Sequence, residues 1–312
     1  MTSIIKSNKN KGKPSTHWHN QHEQSAGIIR LEILWRIYKI FGLRTIKLIL
    51  YPVSFFIALF ARTPRHASYQ YRQILNAYQS RHNLPITRFS SFAHIRTFAY
   101  SLIDKLSANC DKKTPLKFTH EPNNDYQDFK KILAENHGAF LICSHLGNIE
   151  ALCAISDART KTMHAFMQVT QTQTFHKFMT NKSVNRHTIL HPTENIDISV
   201  AGTMYDNLCQ GDLVMMAGDR TSATAPHKTI PTELLGTPCH LPLGVFKFAR
   251  GMSHPVFAIA LLNTGGCNYK LYLKRLDTNT TTTMASQYTD FLNDLLVRYP
   301  KQWFNFYKYF QN

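Results

Sequence analysis

The residues best suited to chemistry are His145 and Glu150, which lie five positions apart within the segment Gly138–Leu152. On one continuous helix they would point about 140° away from each other, because each residue turns about 100°. They can meet only if His145 lies in a loop and Glu150 lies in the first turn of a helix. A carboxylate beside an imidazole fixes its tautomer and stabilises the imidazolium. The pair is therefore predicted to act as a general base toward a hydroxyl or an amine.

The residues around this pair predict the elements that bring it together. The apolar run Ala139–Cys143 is short enough to be a buried strand. Gly147 and Asn148 suit the tight backbone of a strand-to-helix turn, and the Asn148 side chain suits a helix N-cap. The dipole of the following helix would keep Glu150 ionised. The alternative is a core histidine, His145, at a strand end, with Glu150 on a solvated helix face.

A second set of polar residues follows another predicted strand. The apolar run Leu213–Ala217 ends in Gly218, Asp219 and Arg220. Ligands gather at the carboxyl ends of strands in an α/β sheet, so Asp219 and Arg220 are predicted to bind substrate. Arg220 would hold a phosphate or a carboxylate through two parallel hydrogen bonds. The alternative is a structural salt bridge between Asp219 and Arg220.

Apolar runs and helical periodicity alternate along most of the chain. This alternation predicts an α/β domain with a mixed, largely parallel sheet flanked by helices, over residues 66–312. A membrane-associated helical segment is expected before it, at residues 28–65, and a disordered basic tail at residues 1–27. Within the domain, Leu234–Arg250 predicts a turn followed by an apolar helix that includes Leu241. The aromatic tail Trp303–Phe310 is expected either at a membrane interface or folded back into the core.

The segment Ile28–Ala61 is predicted to be helical and to associate with a membrane. Residues 48–60 are almost all apolar, but a spanning helix needs about 20 apolar residues. Basic residues flank this run on both sides, so no charge asymmetry assigns an orientation. These features favour a helix that lies in the membrane interface. A single span and a buried core helix are the alternatives.

The charge balance indicates an anionic partner. The 312 residues include 36 Lys and Arg against 19 Asp and Glu, which gives a net charge of +17. Such an excess suits either nucleic acid or an anionic membrane surface. The sequence has no zinc-finger spacing, RNP-like motif or Gly-rich phosphate loop. Membrane lipids are therefore the expected partner, and nucleic acid is not.

The cysteines and histidines predict neither a disulfide framework nor a metal site. Six cysteines are scattered without CxxC pairs, which indicates reduced thiols in the cytosol. His187 and His191 lack a third ligand, so no zinc is expected. No resident cofactor is expected either.

The segment Ser-His-Leu-Gly-Asn-Ile-Glu, which contains His145 and Glu150, resembles the His-x4-Asp/Glu block of the glycerolipid acyltransferases. It is most similar to the branch that includes the lipid A late acyltransferases, and the resemblance extends over about Ile33–Phe310. It implies transfer of a fatty acyl chain from an acyl carrier protein or coenzyme A thioester to a hydroxyl or amine of a lipid or lipid-like acceptor. His145 would be the general base and Glu150 would orient it. Backbone donors near Gly147 and Asn148 would stabilise the oxyanion.

The same resemblance implies a location and a set of partners. The protein is expected at the cytoplasmic face of the bacterial inner membrane, as a peripheral or single-pass protein. Lys177, Lys182 and Arg186 stand where the family presents basic residues to phosphate groups. An acidic acyl carrier protein suits a basic surface, so it is favoured over coenzyme A as the donor. The oligomeric state is left open.

Two departures from the family pattern concern the acceptor. Related acyltransferases often have Asp-Gln where this chain has Asp219-Arg220, and the tail Trp303–Tyr307 also departs from the pattern. The alternative acceptor is therefore a lysophospholipid, an ornithine-type lipid or a polyene-type product. A hypothesis of another class is a catalytically silent, membrane-bound interaction protein that kept the fold, although the intact His145/Glu150 pair argues against it. Nucleic-acid binding is a third hypothesis, which salt-dependent binding without preference for anionic vesicles would indicate.

Overall fold

The computed structural model describes most of the chain, in the ranges 28–111, 115–152, 162–167, 188–193, 196–221 and 225–310. The side chains of residues 28–31, 150 and 152 lie outside this description. The tail predicted at residues 1–27 and the basic residues Lys177, Lys182 and Arg186 also lie outside the described residues. What the sequence predicts for these positions stays a prediction.

Three long helices precede the sheet: α1 is Ile28–Phe60, α2 is Arg62–Arg81 and α3 is Ser91–Cys110. Gly42 interrupts α1 with φ 78° and ψ 178°, a conformation essentially restricted to glycine. The start of α3 is fixed by Ser90, whose hydroxyl accepts a hydrogen bond from the Ala93 N–H. The helix predicted over Ile28–Ala61 corresponds to α1.

The first helix is attached to the rest of the fold along α3. Trp35 and Tyr38 of α1 are buried in one core cluster with Ile103 of α3. Lys47 of α1 forms an ion pair with Asp104 of α3, with 2.7 Å between Nζ and Oδ1. One face of α1 therefore packs against protein.

The centre of the fold is a sheet. Its strands are β1 Lys117–His120, β2 Ala139–Cys143, β3 Met163–Met167, β4 Thr188–Pro192 and β5 Leu213–Ala217, with β8 Val256–Gly265 and β9 Asn268–Leu276. Within the described residues the strand order is β1-β9-β8-β2-β5-β3-β4. Neighbouring strands are parallel except for β8 and β9, which are antiparallel. The prediction of an α/β fold with a mixed, largely parallel sheet is confirmed.

Helices cover both faces of this sheet. Those after α3 are α4 Asn124–Ala134, α5 Ile149–Leu152, α6 Ile198–Cys209, α7 Leu243–Gly251 and α8 Thr281–Arg298. Side chains of β2 alternate between two core clusters. Phe140 and Ile142 pack on the side of α7 and α8, whereas Ala139 and Leu141 pack on the side of α1 and α3. Burial on both faces explains why β2 is apolar throughout.

Two local features differ from the sequence prediction. Two strands, β6 Thr229–Leu234 and β7 Thr237–Pro242, form an antiparallel hairpin where the sequence predicted a turn and an apolar helix. The turn is present, but Leu241 is a buried strand residue and the helix begins only at Leu243. Strand β4 was not predicted, because a proline such as Pro192 argues against a regular element. Within the described residues β4 is an edge strand, where proline is tolerated.

Residues 302–310, termed the C-terminal segment, fold back into the core. Trp303 and Phe310 are each 1% exposed. The Trp303 ring lies 4.9 Å from the Tyr71 ring of α2, between centroids. Of the two alternatives that the sequence left open for the aromatic tail, the structure shows the core.

Candidate active site

The register of β2 and β5 brings His145 and Asp219 together. These strands are parallel neighbours, and Cys143 pairs with Ala217 where both strands end. The ladder continues with a hydrogen bond of 2.9 Å from the Gly218 N–H to the Cys143 carbonyl. His145 and Asp219 each lie two residues past the last strand pair. Their side chains consequently meet at the carboxyl edge of the sheet.

His145 and Asp219 form a direct hydrogen-bonded pair. The imidazole Nδ1 lies 2.8 Å from Oδ1 of Asp219, and the His145 backbone N–H donates to Oδ2 at 2.9 Å. An ionised carboxylate only accepts, so Nδ1 carries the proton and Nε2 keeps its lone pair. The His145 side chain is 35% exposed, whereas that of Asp219 is 0% exposed. The imidazole can therefore meet a substrate through Nε2 while its carboxylate partner stays out of water.

The environment of Asp219 keeps its carboxyl ionised. Burial alone would raise the pKa of Asp219, but the charge and hydrogen bonds of His145 and the charge of Arg220 outweigh burial and hold that pKa well below its usual range. A negative charge therefore faces the imidazole at neutral pH. Such a charge stabilises the imidazolium that forms when His145 accepts a proton.

The C-terminal segment completes the site. The Phe304 N–H donates to the His145 carbonyl at 2.8 Å. Nδ2 of Asn305 donates to Oδ2 of Asp219 at 3.0 Å. Sequence reasoning missed these contacts, and the one signal in the sequence is a polar residue, Asn305, inside the aromatic run Trp303–Tyr307. The segment thus holds both members of the pair in place.

Arg220 is tied to the same segment. Its Nε donates to Oδ1 of Asn305 at 2.8 Å, and its Nη2 donates to the Phe304 carbonyl at 3.1 Å. Its guanidinium carbon lies 5.6 Å from the centre of the Tyr307 ring. The structure therefore gives Arg220 an internal function, and its contact with substrate stays a prediction.

The turn after His145 is packed against protein backbone. The Gly147 N–H donates to the Gln302 carbonyl, and the Asn148 N–H donates to the Leu261 carbonyl, each at 2.8 Å. Nδ2 of Asn148 donates to the Ser101 carbonyl at 2.9 Å, which links the turn to α3. Protein carbonyls satisfy both of these amides, and oxyanion stabilisation by backbone donors near Gly147 and Asn148 stays a prediction.

Gly147 is expected to tolerate no side chain. Its φ is +81°, and a Cβ there would collide with the Leu261 carbonyl. Gly147→Ala should therefore lower the free energy of unfolding by at least about 2 kcal/mol. Gly244→Ala is the matched control, because a Cβ at that helical position meets nothing within 4 Å. Thermal unfolding of both variants checks this, and equal stability would contradict it.

Glu150 lies in α5, but its side chain is outside the described part of the chain. The helix begins at Ile149, so the backbone of Glu150 is in the first helical turn. Orientation of His145 by Glu150 stays a prediction. The carboxylate that the structure does show on Nδ1 belongs to Asp219, which sequence reasoning had assigned to substrate binding.

His94 contacts the site indirectly, through a hydrogen bond to the C-terminal segment. Its Nε2 lies 2.8 Å from the Trp303 carbonyl, and its Nδ1 lies 3.0 Å from Oγ of Ser68. Burial lowers the pKa of His94 to about 4, even though the bond to Trp303 opposes this change. The imidazole is therefore neutral near pH 7, with Nε2–H donating and Nδ1 accepting.

Stability is expected to fall between pH 6.5 and about pH 4 because of His94. The unfolded chain protonates this side chain below its ordinary pKa of 6.5, whereas the folded protein does so only near 4. The unfolded state binds more protons across this interval, so about 3 kcal/mol of unfolding free energy is lost as the pH falls. Urea unfolding at both ends of the interval checks this. His94→Gln should show a shallower pH dependence, and an unchanged one would contradict the assignment.

The comparison with known families covers the part of the chain that builds the site. Within the described residues, no three His, Cys, Asp or Glu side chains converge to hold a metal ion. No curated protein matches the chain. A statistical model of the family described as bacterial lipid A biosynthesis acyltransferase matches residues 91–312. That range runs from α3 through the whole sheet to the C-terminal segment and includes both His145 and Asp219. The chain therefore belongs to the bacterial lipid A biosynthesis acyltransferase family, whose members are acyltransferases that act on lipid-like substrates.

Proposed function

We propose that the protein moves a fatty acyl chain from an acyl thioester to a hydroxyl or amine of a lipid or lipid-like acceptor, with His145 as general base. Family membership supports acyl transfer. The observation that carries the assignment is the pair itself. Nδ1 of a 35% exposed imidazole lies 2.8 Å from the fully buried carboxylate of Asp219.

The proton moves through His145 in both directions. Nε2 takes the proton of the acceptor hydroxyl or amine as its oxygen or nitrogen attacks the thioester carbonyl carbon. Asp219 stabilises the resulting imidazolium and stays ionised throughout. When the tetrahedral intermediate collapses, the carbon–sulfur bond breaks and His145 returns the proton to the leaving thiolate. The products are the acylated acceptor and a free thiol.

The charge of the chain supports acyl carrier protein as the thioester carrier. The net charge is +17, and acyl carrier proteins are acidic, so long-range attraction would speed their encounter. Salt screens such attraction. The rate with acyl carrier protein should therefore fall more steeply with ionic strength than the rate with coenzyme A, which is the alternative donor.

The first helix supports attachment to a membrane. The large apolar side chains of Leu48, Phe56 and Phe60 are 73%, 56% and 72% exposed. Among the described helices, α1 alone has a stretch, Glu32–Phe60, that is long and apolar enough to cross a membrane. An apolar face of this size requires a non-aqueous environment or a partner.

The shape of α1 favours a helix that lies in the membrane interface and not one that spans the membrane. The break at Gly42 leaves residues 43–60 as one piece, which is about 27 Å long. The hydrocarbon core of a bilayer is about 30 Å thick. Lys47 lies inside this piece and is paired with Asp104 of the catalytic domain. We propose that the protein lies on the cytoplasmic face of the inner membrane.

Helix α3 connects this apolar surface with the site. Its Phe92 ring lies 5.2 Å and 5.8 Å from the rings of Tyr51 and Phe55, between centroids. Further along α3, the Ser101 carbonyl accepts a hydrogen bond from the turn after His145. The apolar face of α1 and His145 therefore flank the same helix. This supports an acceptor that stays in the membrane while its polar group reaches the imidazole.

Lipid mass spectrometry of cells tests the proposal. Strains with wild type, His145→Ala and a deletion are grown side by side. We expect one lipid or lipid-like product to lose a single acyl chain in both the variant and the deletion, which also identifies the acceptor. An acyl chain that is lost in the deletion but retained in His145→Ala would show that His145 is not the base. Identical profiles in all three strains would favour the silent interaction protein.

A further inference from the structure

Asp219 has a hydrogen-bond donor that the mechanism above does not use. Nδ2 of Asn305 lies 3.0 Å from Oδ2 of Asp219, the oxygen that also accepts the His145 backbone N–H. Asn305 is 4% exposed and Asp219 is 0% exposed. In such a buried place a hydrogen bond to a charged group is strong, because little water competes for it.

Arg220 determines which way the Asn305 amide points. Its Nε donates to Oδ1 of Asn305 at 2.8 Å. A guanidinium only donates and an ionised carboxylate only accepts, so a single amide orientation satisfies both neighbours. The result is a series of hydrogen bonds that runs from Arg220 through Asn305 to Asp219. His145 donates to the same carboxylate through its Nδ1–H, so every hydrogen bond in the series points toward the carboxylate.

We propose that Asn305 is a positioning residue for acyl transfer. It holds the Asp219 carboxylate in the rotamer that accepts the Nδ1–H of His145, and it links the positive charge of Arg220 to that carboxylate. Asn305 acts through Asp219. The inference rests on the proposed function of His145 as general base.

Loss of this donor has two physical consequences. Oδ2 of Asp219 keeps one donor instead of two, so the carboxylate, with the imidazole bonded to it, takes up more than one orientation toward the substrate. Its negative charge is also less neutralised, which makes the imidazolium of His145 more stable. The acidic limb of the pH profile of kcat/KM, which reports the base in the free enzyme, then moves to higher pH. A residue that only fills space would not move this limb.

The test compares purified, full-length variants. The donor is acyl carrier protein loaded with lauroyl, myristoyl or palmitoyl chains, and the acceptor is a membrane lipid extract. Asn305→Leu keeps the approximate size and removes both the donor to Asp219 and the oxygen that binds Arg220, whereas Asn305→Ala removes the same contacts and leaves a cavity. Asn293→Ala is the matched control, because its Oδ1 accepts the Leu235 N–H at 2.7 Å in the hairpin region, away from the site.

Both Asn305 variants are expected to lower kcat by about 10–100-fold with KM within about twofold of wild type. Their acidic limb should move up by about one pH unit. Asn293→Ala should lower the melting temperature and leave kcat and the acidic limb unchanged. Circular dichroism verifies that each variant is folded.

Two results separate this inference from the proposed function. Activity in His145→Ala, measured in parallel, would overturn the general base and with it the inference. An inactive His145→Ala beside a folded Asn305→Leu with wild-type kcat and acidic limb would overturn the positioning function alone. In that case Asn305 only anchors Arg220.

Discussion

Asp219→Asn is expected to lower kcat by about 10³–10⁴-fold. Three donors converge on this carboxylate: the Nδ1–H and the backbone N–H of His145, and Nδ2 of Asn305. An amide offers one acceptor oxygen and turns an NH2 group toward the remaining donors. His145 would relieve that conflict by moving its proton to Nε2, and it would then cease to be a base. The charge that stabilises the imidazolium disappears as well.

Single-turnover acyl transfer measures this loss without interference from product release. The same measurement should be made on Glu150→Gln, because the sequence predicted that Glu150 is the carboxylate that pairs with His145. If Glu150 also orients the imidazole, its variant should lose a comparable factor. A folded Asp219→Asn protein that keeps its rate within about tenfold of wild type would contradict the assignment of Asp219 as the carboxylate that keeps His145 a base.

Trp303→Ala is expected to lower the free energy of unfolding by about 3–5 kcal/mol. Its ring packs against those of Tyr71, Tyr309 and Phe310, at centroid distances of 4.9 Å, 4.8 Å and 5.9 Å. Truncation removes these contacts and leaves a cavity beneath the turn after His145. Because the neighbouring Phe304 N–H binds the His145 carbonyl, the activity of the surviving folded fraction should fall too.

Trp303→Phe is the matched control. Nε1 of Trp303 is buried and has no hydrogen-bond partner among the described residues. Phe keeps most of the ring and removes an unpaired donor, so the cost should stay below about 1.5 kcal/mol. Urea unfolding of both variants measures the difference. A negligible loss in Trp303→Ala would contradict the placement of the C-terminal segment in the core.

The strands that carry the site could be predicted from the sequence because their signals are local. Ala139–Cys143 and Leu213–Ala217 are uninterrupted apolar runs, which is typical of strands buried on both faces. Asp219, directly after the second run, was predicted to be a site residue for that reason, whereas His145 was predicted from its type and its spacing to Glu150.

The pairing within the site could not be predicted, because it depends on the register of separate strands. His145 was joined with Glu150, its neighbour in sequence, whereas the structure shows Asp219, 74 residues away, on Nδ1. The contact of Asn305 has the same origin, since no periodicity reports which segment folds back onto a sheet edge. The hairpin was missed because Leu241 and Leu243 fit a helix and a buried strand equally well.

The division of the His145–Asp219 pair between β2 and β5 has a consequence for how the site assembles. The chain that leaves β2 returns to β5 only after it has built β3 and β4, which lie on the outer side of β5. The β2–β5 ladder then brings together two side chains that lie 74 residues apart in the sequence. Closing so long a loop costs entropy before strand pairing compensates for it, so the pair forms with the sheet and not with the local turn after β2.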